Sequence, residues 1–140
     1  MASSAAHPFT PPAIPWLVPH PLEDGSLDLG PGLDGRLLAA SIQRLCDLEG
    51  VQAVLAFGSR ARGDARPDSD LDLAVIVEEP TLTPHDKLKW WTQCQQAIGS
   101  LGIGVDLVIQ GRADAERLSQ SRWHVMGDVA REGRVLLAAG

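Results

Sequence analysis

The stretch VQAVLAFGSRARGDARPDSDLDLAVIV, residues 51–77, decides how the rest of the chain is read. Val51 to Phe57 is a run of small and branched apolar residues, the pattern of a buried strand. Gly58-Ser59 breaks the run, and the polar residues that follow suit about one helical turn, which Gly63 and Pro67 end. Leu71 to Val77 is apolar enough for a second buried strand, with Asp70 and Asp72 at its start. Side chains alternate along a strand with period two, so both carboxylates are expected on one face.

Two carboxylates on one face repel each other and are costly to desolvate. A divalent cation offsets that cost, and hard oxygen ligands suit Mg²⁺. The glycine-serine turn ahead of a helix supplies the complementary half, because backbone N–H groups there can hold phosphate oxygens and glycine permits close approach. A phosphate cradle beside a cation-binding Asp-x-Asp describes nucleotide chemistry.

Rival readings of the same residues fail on particular positions. Gly58 and Gly63 have the glycine spacing of a P-loop, but Asp64-Ala65 stands where Lys-Ser/Thr is needed. Asp68, Asp70 and Asp72 begin like an EF-hand with Glu79 at position twelve, yet position six is Leu73 instead of glycine. Arg62-Gly63-Asp64 spells an adhesion tripeptide, and nothing places the chain outside a cell. The bland alternative is a solvated acidic turn entering a core strand.

Gly58-Ser59-x-Ala61-Arg62-Gly63 followed by Ser69-Asp70-Leu71-Asp72-Leu73 resembles the signature of the polymerase-β-like nucleotidyltransferase superfamily, in particular its small stand-alone minimal nucleotidyltransferase (MNT) branch. The resemblance covers roughly Leu33 to the C-terminus. It implies an α/β (α+β) fold, a small mixed sheet flanked by helices. It implies a Mg²⁺-dependent enzyme that moves AMP from ATP to a hydroxyl, with two ions held by Asp70 and Asp72 and the catalytic one also by Asp106. Gly58 and Ser59 would bind the triphosphate, and Arg60 and Arg62 could neutralise its charge, Arg62 being the one that fits the motif. For each arginine an ion pair to Asp64 or Asp68 stays open. MNT proteins typically pair with a HEPN ribonuclease toxin and silence it by AMP transfer onto a tyrosine, so a hetero-oligomer is implied. This chain has no tyrosine, so tyrosine modification would act in trans. A small-molecule adenylyltransferase and a non-catalytic antitoxin that acts by occlusion remain as alternatives.

With 140 residues, 44% of them hydrophobic, the chain has enough length for a real core. A net charge of −6 argues against direct nucleic-acid binding, which needs a basic face. Cys46 and Cys94 make no disulfide framework, and His7, His20, His85 and His124 have no metal-ligand spacing. No apolar run reaches membrane-spanning length, and the N-terminus lacks a signal-like pattern, so a cytoplasmic protein is expected.

Two units are expected, a proline-rich extension over 1–31 and the nucleotidyltransferase domain over 32–140. Pro8, Pro11, Pro12, Pro15, Pro19, Pro21 and Pro31 deny donors to helix or inner strand. The extension is expected to be mobile, although Trp16, Leu17 and Val18 could dock. Leu33–Leu48 reads as a helix with a stripe of Leu37, Leu38, Ile42, Leu45 and Leu48. Thr83-Pro84-x-Asp86 is a helix start. Leu88, Trp91, Cys94 or Gln95, and Ile98 then recur at helical spacing, which puts Trp91 in the core and Trp90 partly exposed. Val105–Ile109 is a third strand, interrupted only by Asp106. A short helix from Ala113 to Ser119 and a stripe of Trp123, Met126, Val129 and Ala130 follow, before a short final segment.

Overall fold

The computed structural model describes residues 13–140. Nine elements follow a short 3₁₀ turn at Pro15–Leu17: α1 (Gly35–Cys46), β1 (Val51–Phe57), α2 (Ser59–Arg62), β2 (Leu71–Val77), α3 (Pro84–Ile98), β3 (Val105–Gly111), α4 (Arg112–Ser119), α5 (Val125–Glu132) and β4 (Arg134–Ala138). The strands form one mixed sheet in the order β3-β2-β1-β4. β1 runs antiparallel to both β2 and β4, and β2 runs parallel to β3, as the crossover through α3 requires. The mixed sheet flanked by helices is the architecture expected from the sequence.

Both sheet faces are covered, which is why β1 and β2 read as continuous apolar runs rather than alternating ones. On one face Val54, Ala56, Leu71, Leu73, Val75 and Val77 pack with Leu38, Ile42 and Leu45 of α1 and Cys94 and Ile98 of α3. On the other, Ala53, Leu55, Phe57, Ala74 and Ile76 pack with Ala115 of α4 and Met126, Val129 and Ala130 of α5. The register puts Asp72 on the second face at the open end of the sheet, between Phe57 and Asp106. Among the described residues, no helix is long and apolar enough to cross a membrane.

α1 starts where the Asp34 carboxylate accepts the amides of Arg36 and Leu37. Its buried stripe is Leu38, Ala39, Ser41, Ile42 and Leu45, and Leu37 lies outside it, exposed. α1 is tied to the end of α3 by polar bonds: Ser41 Oγ donates to the Ile98 carbonyl at 2.8 Å and Arg44 Nε to the Ala97 carbonyl at 2.8 Å. A cation on the last carbonyls of α3 also suits the negative end of that helix.

α3 begins with the expected capping box of Thr83 and Asp86. Its phase corrects the expectation that Trp91 is core, while Trp90 is partly exposed as expected. Trp91 is 45% exposed and Leu88 62% exposed, whereas Trp90 packs against the core with Cys94 and Ile98. The two stripes, 88–91–95 and 90–94–98, have the same period, so spacing alone does not choose between them. Burial separates them: Cys94 and Ile98 on the second stripe are fully buried, and a methyl group on Gly50 would stand 3.3 Å from the Trp90 ring. Trp123 is likewise not core. It precedes α5, is 88% exposed, and carries the Arg122 guanidinium over its ring at 5.6 Å. Burial pushes the thiols of Cys46 and Cys94 up to about 12, with Asp47 adding to the effect at Cys46. Neither is a nucleophile at neutral pH.

The N-terminal segment is packed where it is described. Trp16, Leu27 and Leu29 are 2%, 2% and 1% exposed. Trp16 joins the α5 side of the sheet, and Leu27 and Leu29 join the α1 side. His20 pairs with Ala138, exchanging two backbone bonds of 2.9 Å and extending the β4 edge by one bridge. Prolines bar a helix or an inner strand there, but they do not bar apolar side chains from docking. The expectation of a mobile extension is therefore corrected for residues 13–31, while residues 1–12 lie outside the described residues.

Candidate active site

Gly58, at the end of β1, adopts φ +72°, a conformation that L side chains rarely take, and so turns the chain from strand into α2. Gly63 closes α2 in the left-handed region. The amides of Ala61 and Arg62 donate to the Gly58 carbonyl. The first amides of a helix have no partner inside it, so those of Ser59 and Arg60 are the donors this turn can offer an anion.

The three aspartates gather at one end of the sheet. Asp72 and Asp106 are direct partners across the parallel β2–β3 pair. Asp70 lies one residue before β2, where the Leu71 amide donates to the Gly104 carbonyl at 2.9 Å. Each carboxylate of the Asp-x-Asp rests on a glycine of a neighbouring strand end. A methyl group at Gly58 would collide with Asp72 Oδ2, and one at Gly104 would stand 2.5 Å from Asp70 Oδ1. Asp72 is half-buried, while Asp70 and Asp106 are exposed.

Burial raises the Asp72 pKa above the ordinary carboxylate range, and the charge and hydrogen bond of Asp106, then the charge of Asp70, add to the shift. Arg62 pulls in the opposite direction. The donor set fits a hard divalent cation: it is all oxygen, its central member is destabilised as an anion by its neighbours, and glycine seats leave room on both sides. Among the described residues no three acidic, thiol or imidazole groups stand as a ready-made cage. Asp70 and Asp106 are exposed side chains, so their convergence on an ion is a matter of rotamers.

The two arginines of α2 divide. Arg62 is exposed and lies between Asp64 at 3.4 Å and Glu132 at 3.1 Å, so the pairing to Asp64 left open by the sequence forms. Exposed pairs of this kind contribute about 0–1 kcal/mol each, so a triphosphate could exchange for them. Arg60 is 3% exposed and unavailable to phosphate. Its guanidinium donates through Nε to Ser69, through Nη1 to Leu29 and Pro31, and through Nη2 to Arg66 and Pro67, all backbone carbonyls. The expected charge-neutralising role is corrected to a structural one. Arg60 clamps the loop that delivers Asp70 onto the N-terminal segment. A polar residue beside a phosphate-like motif gives no hint of this, because the acceptors are carbonyls that any residue type supplies.

Arg60→Lys is expected to cost about 1–3 kcal/mol, since an ammonium has three donors and no planar fork, leaving buried carbonyls without partners. Urea unfolding measures it. A midpoint matching the native protein would mean the carbonyls find water instead.

A shallow depression lined by Glu49, Glu79, Asp86, Lys89, Trp90 and Gln93 lies at the opposite end of β2 and shares no residue with the aspartate cluster.

The family described as polymerase beta, nucleotidyltransferase matches residues 41–137. A protein adenylyltransferase MntA of Thermococcus cleftensis is 36% identical over 75 residues, 53% of this chain and 71% of that protein. A probable protein adenylyltransferase MntA of Haemophilus influenzae is 57% identical over 37 residues, 26% of this chain and 32% of that protein. A crystal structure of a toxin-antitoxin with AMP-PNP has a TM-score of 0.46 and 24% identity, covering 71% of this chain and 72% of that one.

Proposed function

The chain belongs to the polymerase beta nucleotidyltransferase family, and from that premise we propose that it moves AMP from ATP onto a hydroxyl of a partner protein. The partner class is a HEPN-type ribonuclease toxin and the acceptor a tyrosine on it, which makes this chain the antitoxin. The observation that carries the reading is the pairing of Asp72 with Asp106 beside Gly58, in a chain related to a protein adenylyltransferase. The acceptor lies in trans, since this chain has no tyrosine of its own.

In the reaction the acceptor oxygen bonds to the α-phosphorus of ATP, and the bond from that phosphorus to pyrophosphate breaks. Asp70, Asp72 and Asp106 would hold Mg²⁺, which when bound neutralises charge on the triphosphate and on the departing pyrophosphate. Gly58 makes the turn at which the backbone N–H groups of Ser59 and Arg60 would hold phosphate oxygens, and Arg62 would leave Asp64 and Glu132 to face the same oxygens. Asp106, exposed beside Asp72, would also help to take the acceptor proton. The aspartates alone repel a triphosphate, so little of this operates on ATP without a cation.

Nucleotide binding is accordingly expected to depend on a divalent ion. Calorimetric titration of ATP into the chain should show binding with Mg²⁺ or Mn²⁺ and a loss of about tenfold or more in affinity with a chelator, tenfold corresponding to about 1.4 kcal/mol of lost charge compensation. Equal affinity in both would remove the carboxylate-and-cation reading. The function itself is tested with ATP labelled at the α-phosphate, the chain and the co-expressed partner toxin. Label on the toxin with restored growth supports it, and label absent while the toxin is still silenced would favour neutralisation by occlusion.

A further inference from the structure

Asp70 and Asp72 are two residues apart, yet the fold seats them on different neighbours. Asp72 lies against Gly58 at the end of β1, and Asp70 against Gly104 just before β3. At Gly58 the backbone itself requires glycine, because φ is +72°. At Gly104 it does not, because φ there is not positive. The three atoms nearest to a methyl group at Gly104 all belong to the Asp70 side chain: Oδ1 at 2.5 Å, Cγ at 3.0 Å and Oδ2 at 3.5 Å. A carbon cannot approach an oxygen to 2.5 Å, so one of them must move. The cheaper movement is rotation of the carboxylate, which is the end of an exposed side chain.

The backbone fixes Gly104 where it stands. Its carbonyl accepts the Leu71 amide at 2.9 Å, the bond that starts the parallel pairing of Leu71 with Val105 and Asp72 with Asp106. The same residue therefore sets the register of the two aspartate strands and leaves the space in which the Asp70 carboxylate sits. The geometry points to Gly104 as a positioning residue. Its missing side chain leaves the space in which the first carboxylate of the Asp-x-Asp can take up the rotamer that a cation needs, and a methyl group there restricts that carboxylate while leaving the fold intact. This rests on the reading of Asp70 as a cation ligand.

The test is a double-mutant cycle with Mn²⁺ alone as the probe, titrated into the full chain and followed by electron paramagnetic resonance, with melting temperatures measured in chelator. Gly104→Ala is expected to melt within a few degrees of the native chain and to bind Mn²⁺ about 10–100-fold more weakly, the scale of lost support behind a metal ligand. Asp70→Asn should also weaken Mn²⁺, and adding Gly104→Ala to it should cause no further loss, because the group that glycine accommodates has already lost its charge. Native-like Mn²⁺ affinity in Gly104→Ala would overturn the proposal. So would losses that add in the double variant, since Gly104 would then act on something other than Asp70. If Asp70→Asn leaves Mn²⁺ affinity unchanged, the cation reading of Asp70 falls first, and the role of Gly104 with it.

Discussion

Removing residues 1–31 is expected to lower the melting temperature by well over 10 °C or to abolish the cooperative transition. Trp16, Leu27 and Leu29 are almost fully buried, on both faces of the sheet. At about 1.5–3 kcal/mol for each large apolar side chain, their loss removes about 5–9 kcal/mol, against a total stability of about 5–15 kcal/mol for an ordinary domain. The deletion also takes away the Leu29 and Pro31 carbonyls that accept from Arg60, leaving part of a buried guanidinium without acceptors. Trp16→Ala isolates the apolar part and is expected to cost about 3–5 kcal/mol. Differential scanning calorimetry of the two variants decides the matter. A truncated chain melting within a few degrees of the native one would mean that the segment only rests on the surface it covers.

The opposite expectation followed from the sequence because proline content reports on backbone hydrogen bonding and is silent on side-chain burial. The strands and the acidic turn were legible for the reverse reason. In Val51–Phe57 and Leu71–Val77 the pattern of burial and the pattern of letters are the same thing, and glycine at 58 answers to a backbone angle that few other residues adopt. The phase of α3 was not legible, since Trp90 and Trp91 both sit on stripes of helical period and only burial in the fold separates them. Arg60 and Arg62 show the same limit within one turn of helix. They lie two residues apart on opposite sides, and one finds five carbonyls while the other finds two carboxylates. Nothing in the sequence marks Gly104, because its neighbour Asp70 lies far off in the chain.

Asp72→Asn is expected to abolish transfer while making the metal-free protein more stable at neutral pH. The Asp72 pKa is raised in the folded state, first by burial and then by Asp106 and Asp70. The native state therefore holds that proton more tightly than the unfolded chain does. A raised carboxyl pKa means that folding is favoured as pH falls through the folded value towards the unfolded one, and that above the folded value the ionised group works against the fold. Asparagine is never ionised and keeps nearly the same shape. The variant should consequently melt higher than the native chain at pH 7 in chelator, and the difference should shrink as pH is lowered through the carboxylate range. Activity should move in the other direction. Asparagine lacks the charge that would bind the cation and hold the triphosphate in line, and loss of one preorganised charged group costs about 10²-fold or more in rate. The two measurements separate chemistry from architecture. A collapsed melting temperature at pH 7 would make Asp72 a structural residue. Preserved nucleotidyl transfer would remove it from the reaction, and with it the reading of the β2–β3 aspartate pair as the catalytic centre.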